Sequence, residues 1–118
     1  MPPLTDPEKL QCYRNALANW RYEGFITFAK DALRWLHLEL TEYSTRDIGK
    51  LLLEFLLAGG EIDQQVETRP HWRNLHEFHY DIRIPMKGRL IYFETRLIAG
   101  DPDDPDDSQI DVVNIHDA

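Results

Sequence analysis

Residues 76–84 read HEFHYDIRI and residues 89–98 read RLIYFETRLI. In the first run Phe78, Tyr80, Ile82 and Ile84 fall on one side and Glu77, His79, Asp81 and Arg83 on the other, the two-residue period of a half-buried strand. The turn residues from Pro85 to Gly88 send the second run back as its antiparallel partner. There Ile91, Phe93, Thr95 and Leu97 make the apolar face, and Leu90, Tyr92, Glu94, Arg96 and Ile98 the mixed one. A third alternating run, QIDVVNIHDA at 109–118, sets Val113 and Ile115 against Val112, Asn114 and His116. A weaker strand from Glu61 to Glu67 brings the expected number to four.

Upstream the period is that of helices. Asp6, Pro7 and Glu8 start a helix at about residues 6–20, with an Asx cap, a proline whose missing N–H is not needed and an acid in the first turn. Its stripe is Leu10, Tyr13, Leu17 and Trp20. A second helix is read from FITFAKDALRWLHLEL, with Phe25, Phe28, Ala32, Leu33, Leu36 and Leu40 on one face; Phe25 to Phe28 also suit a short strand. Ser44 and Asp47 form a capping box for a third helix bearing Ile48, Leu51, Leu52, Phe55 and Leu56, closed by Gly59 and Gly60.

These elements predict one α+β domain over residues 1–118, with two or three N-terminal helices packed on one face of a four-stranded, mainly antiparallel sheet. The expected core is Leu33, Leu36, Leu52, Phe55, Phe78, Tyr80, Ile82, Ile91, Phe93 and Val113. With 118 residues, 42% of them hydrophobic, the chain suffices for one core and not two.

Cys12 is the single cysteine, so an intrachain disulfide is excluded and a reducing, cytoplasmic setting is expected. The N-terminus lacks the basic start and apolar run of an export signal, and no apolar stretch is long enough to span a membrane. The net charge of −8 is uneven: residues 1–68 carry −4, residues 69–96 carry +3, and residues 97–118 carry −7. The acidic loop at 100–108, GDPDDPDDS, is similar in composition to calcium sites but lacks their ligand spacing, and reads as a solvated connection.

The mixed face gathers His79, Arg83, Tyr92, Glu94 and Arg96, with Asn114 or His116 nearby. Those types match RNA cleavage by the ribose 2′-hydroxyl, which needs a base, an acid for the leaving 5′-oxygen, and cations on the phosphate. Glu94 or His79 suits the base, His79 or His116 the acid, and Arg83 and Arg96 the phosphate clamp. On a polar face, Arg83, Glu94 and Arg96 should be replaceable by alanine without loss of folding. The same residues also suit cross-strand ion pairs that only stabilise a sheet.

His71, His76 and His79 fall close together, but on a strand an odd separation turns His76 and His79 to opposite faces, so no metal or other cofactor is expected. Trp72, flanked by Arg69, His71 and Arg73, suits either stacking on a base or closing the core.

The order of pieces, an Ala-Leu-x-x-Leu helix at 32–36, a short helix after a Ser cap, a Gly-Gly-Glu-Ile exit at 59–62 and an I-x-V-V-x-I-H-D strand at 110–117, resembles small bacterial proteins related to the RelE-like and MqsR-like toxin endoribonucleases. The resemblance covers about residues 26–117. It implies a RelE-like α+β fold, an RNA substrate, no metal and a cognate antitoxin. Two departures are Asp31 where related chains often have a histidine before Ala-Leu, and the acidic charge balance. Two functions follow: a toxin-like or degenerate toxin-fold domain that binds a protein partner, either a basic protein or an antitoxin, and a metal-independent endoribonuclease.

Overall fold

A computed structural model of the chain describes residues 2–70, 73, 75–99, 104 and 107–118. The readings made for Trp72, His71 and most of the acidic loop lie outside the described residues. Helix α1 (Pro7–Ala18) begins where Asp6 accepts the amides of Glu8 and Lys9. Strand β1 (Ile26–Phe28) is followed by α2 (Lys30–Glu39), α3 (Thr45–Leu57), β2 (Asp63–Val66), β3 (Phe78–Met86), β4 (Arg89–Ala99) and β5 (Ser108–Asp117).

Helix α3 carries both expected ends. The Ser44 hydroxyl accepts the Asp47 amide at 3.1 Å while the Asp47 carboxylate accepts the Ser44 amide at 2.8 Å. At the other end the amide of Gly60 reaches the carbonyl of Phe55 and that of Gly59 reaches Leu56, the paired bonds of a Schellman motif. The φ of +92° at Gly59 makes glycine the residue for that position.

The sheet has five strands in the order β1-β5-β4-β3-β2, and it is mixed. Strand β1 runs parallel to β5, with Ile26 beside Ile110 and Phe28 beside Val112. This corrects the expectation of four strands: residues 26–28 extend the sheet instead of starting α2. Three β-prone residues after Gly24 gain ladder hydrogen bonds and apolar neighbours there, whereas α2 begins only at Lys30. The opposite edge, β2, is covered in part by the N-terminus. Leu4 donates to the Ile62 carbonyl, Gln64 donates to that of Pro2, and the Leu4 side chain is buried.

One core cluster joins Tyr13, Ala16 and Leu17 of α1, Ala32 and Leu36 of α2, and Ile48, Leu52 and Leu56 of α3 to Tyr80, Ile82, Ile84, Ile91, Phe93, Ile110, Val112 and Ile115 of the sheet. Phe55 and Phe78 are half-buried at its margin, and Leu33 is half-buried on α2. The expected Val113 is also only half-buried, because the β4–β5 register shifts between Glu94 and Thr95. Thr95 pairs with Val112 and Glu94 with Asn114, so Val113 is the extra residue of a bulge. Ahead of the bulge Ile110 and Val112 face the helices; beyond it Ile115 does. Beneath it, the Tyr13 hydroxyl donates to the Thr95 hydroxyl, which itself donates to the carbonyl of Tyr80, both at 2.7 Å. No helix among the described residues is long and apolar enough to cross a membrane.

Candidate functional site

The bulge also builds the other side of the sheet. Without an extra residue at 113, Asn114 and His116 would face the helices; with it they join the residues of β3 and β4 that face away from them. The cross-strand register then lays out two rows. Arg83, Tyr92 and His116 are neighbours in one, and Asp63, Asp81, Glu94 and Asn114 in the next.

The first row is stacked. The Arg83 guanidinium lies over the Tyr92 ring at 5.2 Å, and the Tyr92 and His116 rings stack at 4.5 Å with 27° between their planes. The Arg83 guanidinium also donates to Asp63 at 2.7 Å. His116 Nδ1 lies 2.7 Å from the carbonyl oxygen of Asp117, which can only accept, so this nitrogen carries the proton.

The second row opposes three carboxylates directly, an arrangement that repels unless each is compensated. His79 Nδ1 lies 2.8 Å from Asp81. Burial, then the charge of Asp81, push the Tyr92 phenol well above its ordinary range, so it stays neutral. Glu94 is bonded by Arg69 and lies 3.1 Å from Arg96.

Glu94, Arg96, Glu67 and Arg69 form a network of four charges. Glu67, just past β2, lies 2.6 Å from Arg96 and accepts Arg69 through both its oxygens, and the Glu67 amide donates to the Glu77 carbonyl to close the β2–β3 connection. The side chains of Arg96 and Glu67 are each 1% exposed and that of Glu94 is 7%. Hydrogen bonds from Arg69 hold the Glu67 carboxyl down at about 2 against the cost of its burial. Burial beside Arg96 lowers His76.

His79, Arg83, Tyr92, Glu94 and His116 thus line one open concavity of about 430 Å³, together with Gln65 and Asp81. Arg96 is not among its lining residues. The expectation that Glu94 and Arg96 sit on a solvated polar face and tolerate removal is overturned by their burial in this network. Among the described residues no group of three or more His, Cys, Asp or Glu side chains is arranged to hold a metal ion.

Asp81 and Glu67 were not singled out by the sequence pattern, and Arg69 was read only as a flank of Trp72. One signal for the last two was present: the tripeptide Glu-Thr-Arg occurs at 67–69 and again at 94–96, and the fold brings the two copies together as the charge network. No protein-family model, curated protein or solved structure matches this chain.

Proposed function

We propose that this chain is a toxin-like α+β domain with a metal-independent endoribonuclease site on its open sheet face. The observation that carries the reading is the convergence of His79, Arg83, Tyr92, Glu94 and His116 on one concavity around Asp81, a carboxylate only 3% exposed and hydrogen-bonded to His79. A face that only meets solvent keeps its charges in water, whereas burying a carboxylate beside an imidazole sacrifices stability for a defined geometry. That geometry suits acid–base cleavage, with imidazoles moving protons and Arg83 at the phosphate. The resemblance in layout to RelE-like and MqsR-like toxins supports RNA as substrate, and the single cysteine supports a cytoplasmic setting.

A second reading is favoured by a separate observation. Arg69, Arg83 and Arg96 are all ion-paired, and the chain carries −8, so phosphate attraction is weak. In that reading the domain is degenerate and binds a basic protein or an antitoxin. Incubation with mixed-sequence RNA in EDTA separates the two. The ribonuclease reading expects fragments ending in 2′,3′-cyclic phosphate at a rate above a His79→Ala control. Absence of cleavage, with salt-dependent binding of a lysine-rich peptide, would establish the second.

A further inference from the structure

Glu94 and His79 are both of a type to serve as the base, and their surroundings separate them. Two arginines, Arg69 and Arg96, already engage the Glu94 carboxylate, both at Oε2. His79 has one described contact of its ring, Nδ1 with Asp81, and lines the concavity. An ionised carboxylate only accepts, so the shared proton belongs to His79 Nδ1 and the lone pair to Nε2.

We infer that Asp81 is the positioning residue of this site: it locks His79 in the Nδ1–H tautomer, so that Nε2, and not the Glu94 carboxylate, takes the proton of the attacking ribose hydroxyl. The inference rests on the ribonuclease reading. Asp81 accepts from His79 Nδ1–H, and its position two residues from His79 on one strand gives both side chains the same face.

The step balances without water or metal. His79 Nε2 removes the 2′-hydroxyl proton, the 2′-oxygen bonds to phosphorus, and the bond from phosphorus to the 5′-oxygen breaks. His116, protonated at Nε2 and tethered through Nδ1 to the Asp117 carbonyl, gives its proton to that leaving oxygen. The products are a 2′,3′-cyclic phosphate and a 5′-hydroxyl, and exchange with solvent returns both imidazoles to their starting states.

The test pairs kinetics with a direct view of the proton. Long-range ¹H–¹⁵N NMR of the wild type should show His79 as the Nδ1–H tautomer, and Asp81→Asn, whose amide can donate, should shift it towards Nε2–H. With RNA in EDTA, Asp81→Asn should lower kcat on the order of a hundredfold with little change in KM. The double variant with His79→Ala should lose no more than His79→Ala alone. An Nε2–H tautomer in the wild type, or cleavage by Asp81→Asn at the wild-type rate, overturns the assignment while leaving the ribonuclease reading intact. A wild type with the Nδ1–H tautomer that does not cleave overturns the ribonuclease reading and, with it, the catalytic purpose of Asp81.

Discussion

Asp81 and Glu94 stand directly opposite each other on β3 and β4, both buried, and each is compensated by different partners: His79 for the first, Arg69 and Arg96 for the second. Like charges in direct opposition weaken a sheet, so this pair makes the fold dependent on the groups that compensate it.

Arg96 is the most deeply placed of them. Arg96→Met should destabilise the protein by about 3–5 kcal/mol, because Glu67 and Glu94 remain buried with their compensation reduced. Adding Glu67→Gln should restore part of that loss. Urea unfolding of the two variants measures both effects, and a loss under about 1 kcal/mol for Arg96→Met would show that water reaches the network after the change.

Acid should act through Glu67. Its carboxyl falls from an ordinary 4.5 to about 2 in the fold, first through hydrogen bonds from Arg69, so its stabilising contribution is complete above about 4.5 and is lost as pH falls towards 2. Wild-type stability should therefore decline across that window. Glu67→Gln should show a shallower decline, and parallel curves for the two proteins in urea titrations from pH 5 to 2 would contradict the assignment.

How far these features could be read from the chain depends on the range of the interactions that set them. The alternation in 78–84 and 90–97, the Ser44–Asp47 box and the Gly59–Gly60 stop are local patterns, and they correspond to observed elements. Strand β1 was ambiguous because three residues are too few to show a period, and its state is set by β5, more than 80 residues away. The bulge at Val113 was hidden because a single extra residue reverses the parity of a strand midway, so Val113 and Val112 exchanged their expected places. Five candidate residues met on one concavity because cross-strand pairing follows from alternation. Arg96 left that group because it is buried in an ion pair with Glu67, supplied by a distant segment.

The hairpin between β3 and β4 makes a local prediction. Lys87 has φ +51° and Gly88 φ +76°, the left-handed pair of a tight two-residue turn in which lysine is an unfavourable first residue. It is tied down by an ion pair with Glu42 and sits 5.6 Å from the Tyr43 ring centre. The strain is about 1 kcal/mol and an exposed ion pair contributes less than about 1 kcal/mol. Lys87→Asn, which tolerates the left-handed region, should raise stability by about 0.5 kcal/mol in thermal or urea unfolding. A loss above about 1 kcal/mol would mean that the link to Glu42 and Tyr43 outweighs the strain.

On the ribonuclease reading, Arg83 separates catalysis from stability more cleanly than Arg96 does. Asp63 engages one terminal nitrogen of its guanidinium, and among the described residues no other hydrogen bond occupies the remaining N–H groups, which lie beside Tyr92 at the concavity. A phosphate gathering charge during cleavage would be met there by donors already fixed by the sheet, so Arg83→Ala should reduce kcat on the order of a hundredfold. Its half-exposed pair with Asp63 is worth about 1 kcal/mol or less, so folding should persist. Arg83→Lys should recover little, since a point charge cannot reproduce a planar fork. Arg96→Ala, in contrast, should lose activity together with its cooperative unfolding transition. Cleavage rates at saturating RNA, measured beside the melting curve of each variant, decide the matter: undiminished cleavage by a folded Arg83→Ala would remove Arg83 from the phosphate.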